Sequence, residues 1–138
     1  MNYFSLGRTN YVRISDEEGL EELLTSRVAG VTLDYDKEGR VCFLCGEEGG
    51  TPYFLEEGEE YTEFDWGTVI MPYVEPGEVL VYIHTGYEGM RYLGGMAAAY
   101  IKSTYGEIRQ VDIGLNDIYE MAANIFEVPE ESITKAEY

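Results

Sequence analysis

Residues 77–113 read GEVLVYIHTGYEGMRYLGGMAAAYIKSTYGEIRQVDI, and this stretch decides the fold. Short apolar runs rich in Val, Ile and Tyr and bounded by Gly-containing turns are typical of β-strands. Short turns join antiparallel neighbours. The stretch therefore predicts a three-stranded meander with an apolar face, with strands over 78–85, 90–103 and 107–113 and turns at 86–89 and 104–106.

Upstream of the meander, two patterns predict more strands. Residues 9–14 (TNYVRI) alternate polar with apolar or aromatic side chains, which favours a first strand. The runs 31–36 and 40–46 flank a short turn that contains Gly39, so they predict a β-hairpin.

Three segments predict helices. A helix over 16–26 is indicated by a capping box and by leucines at helical spacing: Ser15, Glu18, Leu20, Leu23 and Leu24. Asp65 is placed to cap a short helix over 66–74, although Gly67 and Pro72 disfavour a long one. Residues 115–126 predict a closing amphipathic helix with one apolar stripe: Leu115, Ile118, Tyr119, Ala122 and Ile125.

These elements predict an α+β fold, with an antiparallel sheet of about five or six strands and helices packed on one face. A chain of 138 residues is long enough to bury one self-sufficient core. No internal repeat or linker divides it. We therefore expect a single domain over 1–138, with a polar tail over 127–138 that is free to fray.

The charge is strongly acidic. Twenty-seven Asp and Glu face nine Lys and Arg, giving a formal net charge of −18, yet 45% of residues are apolar and 14% aromatic. That apolar content predicts a folded chain rather than a disordered acidic tail. Scattered bases among many acids disfavour direct binding to nucleic acid or to an anionic membrane. Because no secretory signal and no spanning segment is evident, we expect a cytoplasmic protein.

Candidate chemical motifs are weak. Cys42 and Cys45 have CxxC spacing, but in a strand their side chains point to opposite faces, which disfavours zinc. The run from Asp34 resembles a calcium loop, but its twelfth residue is Cys45 where a bidentate Glu is needed. His84, the sole histidine, has no recognisable nucleophile partner. We expect no metal, no cofactor and no enzymatic activity.

Residues 54–66 read FLEEGEEYTEFDW and interleave six carboxylates with four aromatic rings. A partner-binding surface explains both residue types, since Tyr is enriched at interfaces and close carboxylates imitate the phosphates of DNA. Phe54, Phe64 and Trp66 are expected to tether this stretch to the core. The predicted partner-binding residues are ten acids and one tyrosine, which we call the predicted acidic set: Asp34, Asp36, Glu38, Glu47, Glu48, Glu56, Glu57, Glu59, Glu60, Tyr61 and Glu63.

Three segments, 8–24, 77–113 and 115–126, resemble a family of small acidic proteins carried by phages and mobile elements of Gram-positive bacteria. The MRYLGG strand and the TYGEIRQVDI arm carry most of the resemblance. The resemblance implies a genomic setting more than a mechanism. Small acidic proteins in that setting include anti-CRISPR and antirestriction proteins, several of which look like DNA to their targets.

The functional hypothesis is a non-enzymatic inhibitor of a host defence nuclease. Its acidic surface would imitate DNA and block the basic groove of a nucleic-acid-binding protein, a CRISPR effector or a restriction enzyme. The alternative is a structural or interaction module of a mobile element, with a dimer contact through Trp66, Met71 and Tyr73. A small enzyme or metal-binding protein that uses the carboxylates is a third possibility.

Overall fold

The computed structural model describes residues 4–46, 50–55 and 63–137. The strands are β1 (Phe4–Thr9), β2 (Val28–Ala29), β3 (Thr32–Tyr35), β4 (Val41–Cys45), β5 (Tyr53–Phe54), β6 (Val79–Glu88), β7 (Tyr92–Lys102) and β8 (Ile108–Gly114). The α-helices are α1 (Glu17–Ser26), α2 (Trp66–Val69) and α3 (Asp117–Phe126). Two short 3₁₀ helices cover Met71–Tyr73 and Glu130–Ser132.

Six strands form one antiparallel sheet in the order β3-β4-β1-β6-β7-β8, and β2 pairs with β5 in a second small sheet. The predicted α+β class and the antiparallel sheet are confirmed. β1 lies in the middle, between the β3–β4 hairpin and the meander, and it pairs with β6 from Phe4↔Tyr87 to Thr9↔Tyr82. The sheet therefore joins two locally formed units through one strand.

The predicted first strand over 9–14 is wrong in position. The strand is β1, five residues earlier. Between β1 and α1 the chain makes isolated bridges instead, Val12↔Val41 and Ile14↔Val74. The turn expected at 86–89 begins later as well, because β6 stays paired with β7 as far as Glu88↔Tyr92. Both errors have the same cause. Glycine usually indicates a turn, but Gly7 and Gly86 lie inside strands.

Helix α1 forms as predicted, but it starts one residue later. Asp16, rather than Ser15, is the N-cap, and its carboxylate accepts a hydrogen bond from the Gly19 backbone N–H at 3.0 Å. Asp65 caps α2 as expected, by accepting from the backbone N–H of Thr68 at 3.2 Å.

One face of the sheet, which we call the core face, carries the buried side chains. Its strand residues include Phe43, Cys45, Leu80, Tyr82, Ala98 and Tyr100. Leu20 and Leu23 of α1 share this core, as do Trp66 of α2 and Ile70 and Met71 just after it. Helices α1 and α2 thus pack on one face of the sheet, as the sequence predicted.

An aromatic cluster fills the centre of the core. Trp66 is 3% exposed, and its ring centroid lies 4.8 Å from that of Tyr82, 5.1 Å from Phe64 and 5.5 Å from Phe43. Met71 is fully buried. The expected dimer contact through Trp66, Met71 and Tyr73 is therefore wrong for Trp66 and Met71, because their side chains already form the core. Tyr73 is partly buried and packs against that core.

Helix α3 differs from the closing helix that was expected. Tyr119 and Ala123 are buried, but the stripe of Leu115, Ile118 and Ile125 is exposed. The tail contacts the buried side of α3 instead, where the Tyr119 hydroxyl accepts from the Ala136 backbone N–H and the Lys135 ammonium lies over the Tyr119 ring. α3 therefore leaves an apolar stripe uncovered.

Candidate partner-binding surfaces

Only part of the predicted acidic set lies within the residues that the structure describes. Asp34 lies in β3, Asp36 and Glu38 lie in the β3–β4 turn, and the exposed Glu63 precedes α2. The remaining members lie outside the described residues: Glu47, Glu48, Glu56, Glu57, Glu59, Glu60 and Tyr61. Whether the full set forms one surface stays a prediction.

The β3–β4 turn is held by its own charges. The Asp36 carboxylate accepts from the backbone N–H groups of Glu38 and Arg40 and from the Arg40 guanidinium. Partial burial of Asp36 favours its neutral form, but these hydrogen bonds outweigh that effect and lower the pKa of the carboxyl. The Glu38 carboxylate in turn lies 3.4 Å from Arg40 and 3.6 Å from Arg13. Two acids thus face two arginines, and the turn offers little free negative charge.

The Asp34 carboxylate also has a hydrogen-bond partner. It accepts a hydrogen bond from the Tyr11 hydroxyl, and this bond, followed by contact with Cys42, raises the pKa of Tyr11 to about 12. The Arg8 guanidinium lies 3.6 Å from the Cys42 sulfur beside it. These contacts form a small polar group at the β3–β4 edge of the sheet.

Helix α1 presents the densest free charge in the described part of the chain. Burial of Leu20 and Leu23 turns the opposite side of the helix outward, and all four of its glutamates are exposed: Glu17, Glu18, Glu21 and Glu22. No ion pair to these four occurs within residues 4–46, 50–55 and 63–137. We call these four residues the α1 acidic face.

The spacing of the α1 acidic face resembles that of nucleic acid. At a rise of about 1.5 Å per residue, four charges fall within about 7.5 Å of helix axis, or roughly one per 2 Å. Duplex DNA carries one charge per about 1.7 Å of its axis. These glutamates were not in the predicted set, although the leucine spacing already indicated their outward direction.

The flanks of the acidic stretch lie beside the end of α1. The Leu55 backbone N–H donates to the Arg27 carbonyl at 2.9 Å, immediately after α1 ends. On the other flank, the Phe64 ring packs 6.1 Å from Phe54 and 5.1 Å from Trp66. The predicted tethering through Phe54, Phe64 and Trp66 is confirmed.

The sheet face opposite the core, which we call the open face, is apolar and uncovered. Eight of its side chains are between 44% and 66% exposed: Phe4, Leu6, Val79, Ile83, Tyr87, Leu93, Val111 and Ile113. Ala97 and Ala99 of β7 form the floor of a shallow groove between Val79 and Val81 of β6 and Val111 and Ile113 of β8. The sequence reading did not distinguish this face from the core face.

The two cysteines lie within β4, and the His84 ring centroid lies 6.2 Å from that of Tyr82. Cys42 and Cys45 are buried on opposite faces of β4, as predicted, and burial raises the pKa of the Cys45 thiol to about 12. Among the residues that the structure describes, no group of three or more His, Cys, Asp or Glu is arranged to hold a metal ion. No helix in these ranges is long and apolar enough to cross a membrane.

Comparison of the chain with protein-family models, with curated proteins and with solved structures found no match.

Proposed function

We propose that the protein is a non-enzymatic inhibitor of a host defence nuclease that acts in the cytoplasm of a bacterial host. Its acidic surface occupies the basic nucleic-acid groove of a CRISPR effector or a restriction enzyme and excludes the nucleic acid. The α1 acidic face carries the proposal, because it combines DNA-like charge density with an absence of neutralising partners in the described residues.

The described flanks of the acidic stretch support the same proposal. The Leu55 backbone N–H bonds the Arg27 carbonyl just after α1, and the Phe64 ring packs against Phe54. The predicted partner-binding residues Glu56, Glu57, Glu59, Glu60 and Tyr61 lie between these flanks in sequence and outside the described residues. The acids of the β3–β4 turn contribute less, because Arg13 and Arg40 pair with them.

Electrostatic capture has a defined kinetic signature. Opposite charges on the two partners accelerate association, and salt screens the attraction over about 8 Å at physiological ionic strength. Affinity for the nuclease should therefore fall steeply as salt rises, mainly through a slower association rate.

The test compares charge-matched variants in binding and cleavage assays against a panel of purified CRISPR effectors and restriction enzymes. One variant changes Glu17, Glu18, Glu21 and Glu22 to Gln, and a second changes Glu56, Glu57, Glu59 and Glu60. The control neutralises four exposed acids on the β7–β8 turn and the tail: Glu107, Glu127, Glu130 and Glu131. Each of the three variants loses four negative charges.

At up to about 1 kcal/mol per exposed charge, the α1 variant should bind roughly ten- to several-hundredfold more weakly, while the control stays near wild type. Equal losses in all three variants would mean that only net charge matters. Absence of binding to every nuclease at low salt would refute the proposal.

A second function is favoured by the open face. A surface of this apolar content suits a structural or interaction module of a phage or mobile element that uses no nucleic-acid imitation. Salt separates the two, because apolar binding does not weaken as salt screens charge.

A further inference from the structure

The open face is large for a surface in contact with water. Its eight exposed apolar side chains leave about 100 Å² each uncovered, so the patch is on the order of 800 Å². The largest apolar patch on a typical monomer is about 300–600 Å². A standard interface buries about 800 Å² on each partner. The open face therefore has the area that one side of a stable interface needs.

Within the described strands, the open face carries few of the chain's many acids. Alternation along these strands places one carboxylate on it, Asp34, and Tyr11 already bonds that group. Arg8 and Arg109 are its other charged residues. In a chain of net charge −18, this is a surface on which two copies can approach with little local repulsion.

The chain also exposes an apolar stripe, at and just before α3, that suits the groove of the open face. Leu115, two residues before α3, lies on the open-face side, since a Cβ built on Gly95 would come within 3.2 Å of its side chain. Leu115 is exposed, and so are Ile118 and Ile125 of α3, which follow at spacings of three and seven residues along one helical stripe. Small side chains at Ala97 and Ala99 leave space along β7 for larger side chains from a helix.

We propose that the open face binds a second copy of this chain in a two-fold dimer. The α3 stripe of each copy packs into the partner's groove over Ala97 and Ala99. One chain supplies both surfaces, so a two-fold axis satisfies both at once, which is the commonest symmetry of homo-oligomers. This inference is independent of the proposed nuclease inhibition, because it uses neither the α1 acidic face nor the acidic stretch.

Salt dependence separates this contact from nuclease binding. Two chains of charge −18 repel each other at long range, and added salt screens that repulsion. Dimerisation should therefore strengthen as salt rises, whereas binding to a basic groove should weaken.

The test is sedimentation velocity and light scattering of the full-length chain over a range of concentrations at low and high salt. The variants are V111K in the groove wall and I118K in the helix stripe, which are 65% and 57% exposed in the single chain. Y105K is the matched control, because Tyr105 is 97% exposed and does not line the groove. Each substitution makes the same change in net charge.

Wild type and Y105K should dimerise, more tightly at high salt. V111K and I118K should weaken the dimer about thirtyfold or more, the loss typical of a central interface residue, even though each reduces overall repulsion. Circular dichroism and Trp66 fluorescence report whether each variant remains folded.

A wild-type chain that stays monomeric at every concentration and salt would overturn the proposal. So would open-ended aggregates instead of a dimer, or dimers in V111K and I118K as tight as in Y105K. Loss of nuclease binding in the α1 variant with an unchanged dimer would show that the two surfaces act separately.

Discussion

Substitution of Gly7 by alanine should strongly destabilise the protein. Gly7 lies in β1 on the core face, where the Tyr82 side chain crosses it. A Cβ at this position would lie 2.6 Å from the Tyr82 hydroxyl oxygen and still nearer to the Gly50 carbonyl oxygen. The Tyr82 hydroxyl donates its hydrogen bond to that same carbonyl. One methyl group therefore enters between the two groups of a buried hydrogen bond.

The expected cost has two parts. Ordinary contact needs a separation of about 3.5 Å, so the Gly50 backbone must move by roughly 1 Å, and overpacking of this kind costs about 1–3 kcal/mol. Disruption of the buried Tyr82–Gly50 bond adds about 1–3 kcal/mol. The gain from restricting the unfolded chain offsets only about 0.5 kcal/mol. G7A should lower the free energy of unfolding by about 2–5 kcal/mol.

Urea denaturation followed by fluorescence measures this change, because Trp66 is the only tryptophan and lies in the core beside Tyr82. G114A is the control, since a Cβ there meets nothing nearer than 3.8 Å, and its midpoint should stay close to wild type. Y82F removes the hydroxyl, so the double variant G7A/Y82F should cost less than the sum of the single variants. A G7A midpoint equal to that of G114A would refute the steric reasoning.

Three further predictions concern the core and the β3–β4 turn. Thr9 is 2% exposed and its hydroxyl accepts from the Phe43 backbone N–H at 2.9 Å, so T9V should cost about 1–3 kcal/mol in urea denaturation, and T9S much less. Because the pKa of Asp36 is lowered in the folded state, its stabilising effect is present above the unfolded pKa of about 3.9 and is lost as pH falls through the folded value. The unfolding midpoint of D36N should therefore depend less on pH in this acidic range than that of wild type. Cys42 and Cys45 are both buried, so a thiol reagent should label them only slowly in the native protein and rapidly in urea; fast native labelling would contradict their burial.

Local patterns predicted much of the fold. The β3–β4 hairpin formed where a short Gly-containing turn separates two apolar runs, and α1 formed where leucines recur at helical spacing. β1 was missed because its central glycine weakens the strand signal. That glycine is needed because Tyr82 packs over it, a contact between residues far apart in sequence.

The acidic surface was harder to predict, because the sequence gives the number of acids but not which of them lie beside a Lys or Arg in the folded protein. Asp36 and Glu38 appeared free in sequence, but Arg13 and Arg40 neutralise them in space. The α1 glutamates are exposed because the leucines of the same helix are buried. Sequence spacing gives that direction, but not the absence of nearby cations among the described residues.

The open face was overlooked for a different reason. Strand β6 is apolar at successive positions, Leu80 and Tyr82 on one face and Val79, Val81 and Ile83 on the other. Such strands are typical of sheets covered on both sides. In the described part of the single chain the Val79 and Ile83 side of β6 is exposed, and the proposed dimer would cover it.

The central position of β1 has a consequence for how the protein acquires its structure. The β3–β4 hairpin and the β6–β8 meander each pair strands that are close along the chain, whereas β1 must reach β6 over most of the chain's length. Long-range pairing of this kind slows folding. We therefore expect insertion of β1 to limit the refolding rate, so that T9V slows refolding, while changes at the β8 edge mainly accelerate unfolding. Stopped-flow measurement of both rates tests this order of assembly, and equal effects on refolding from β1 and β8 would contradict it.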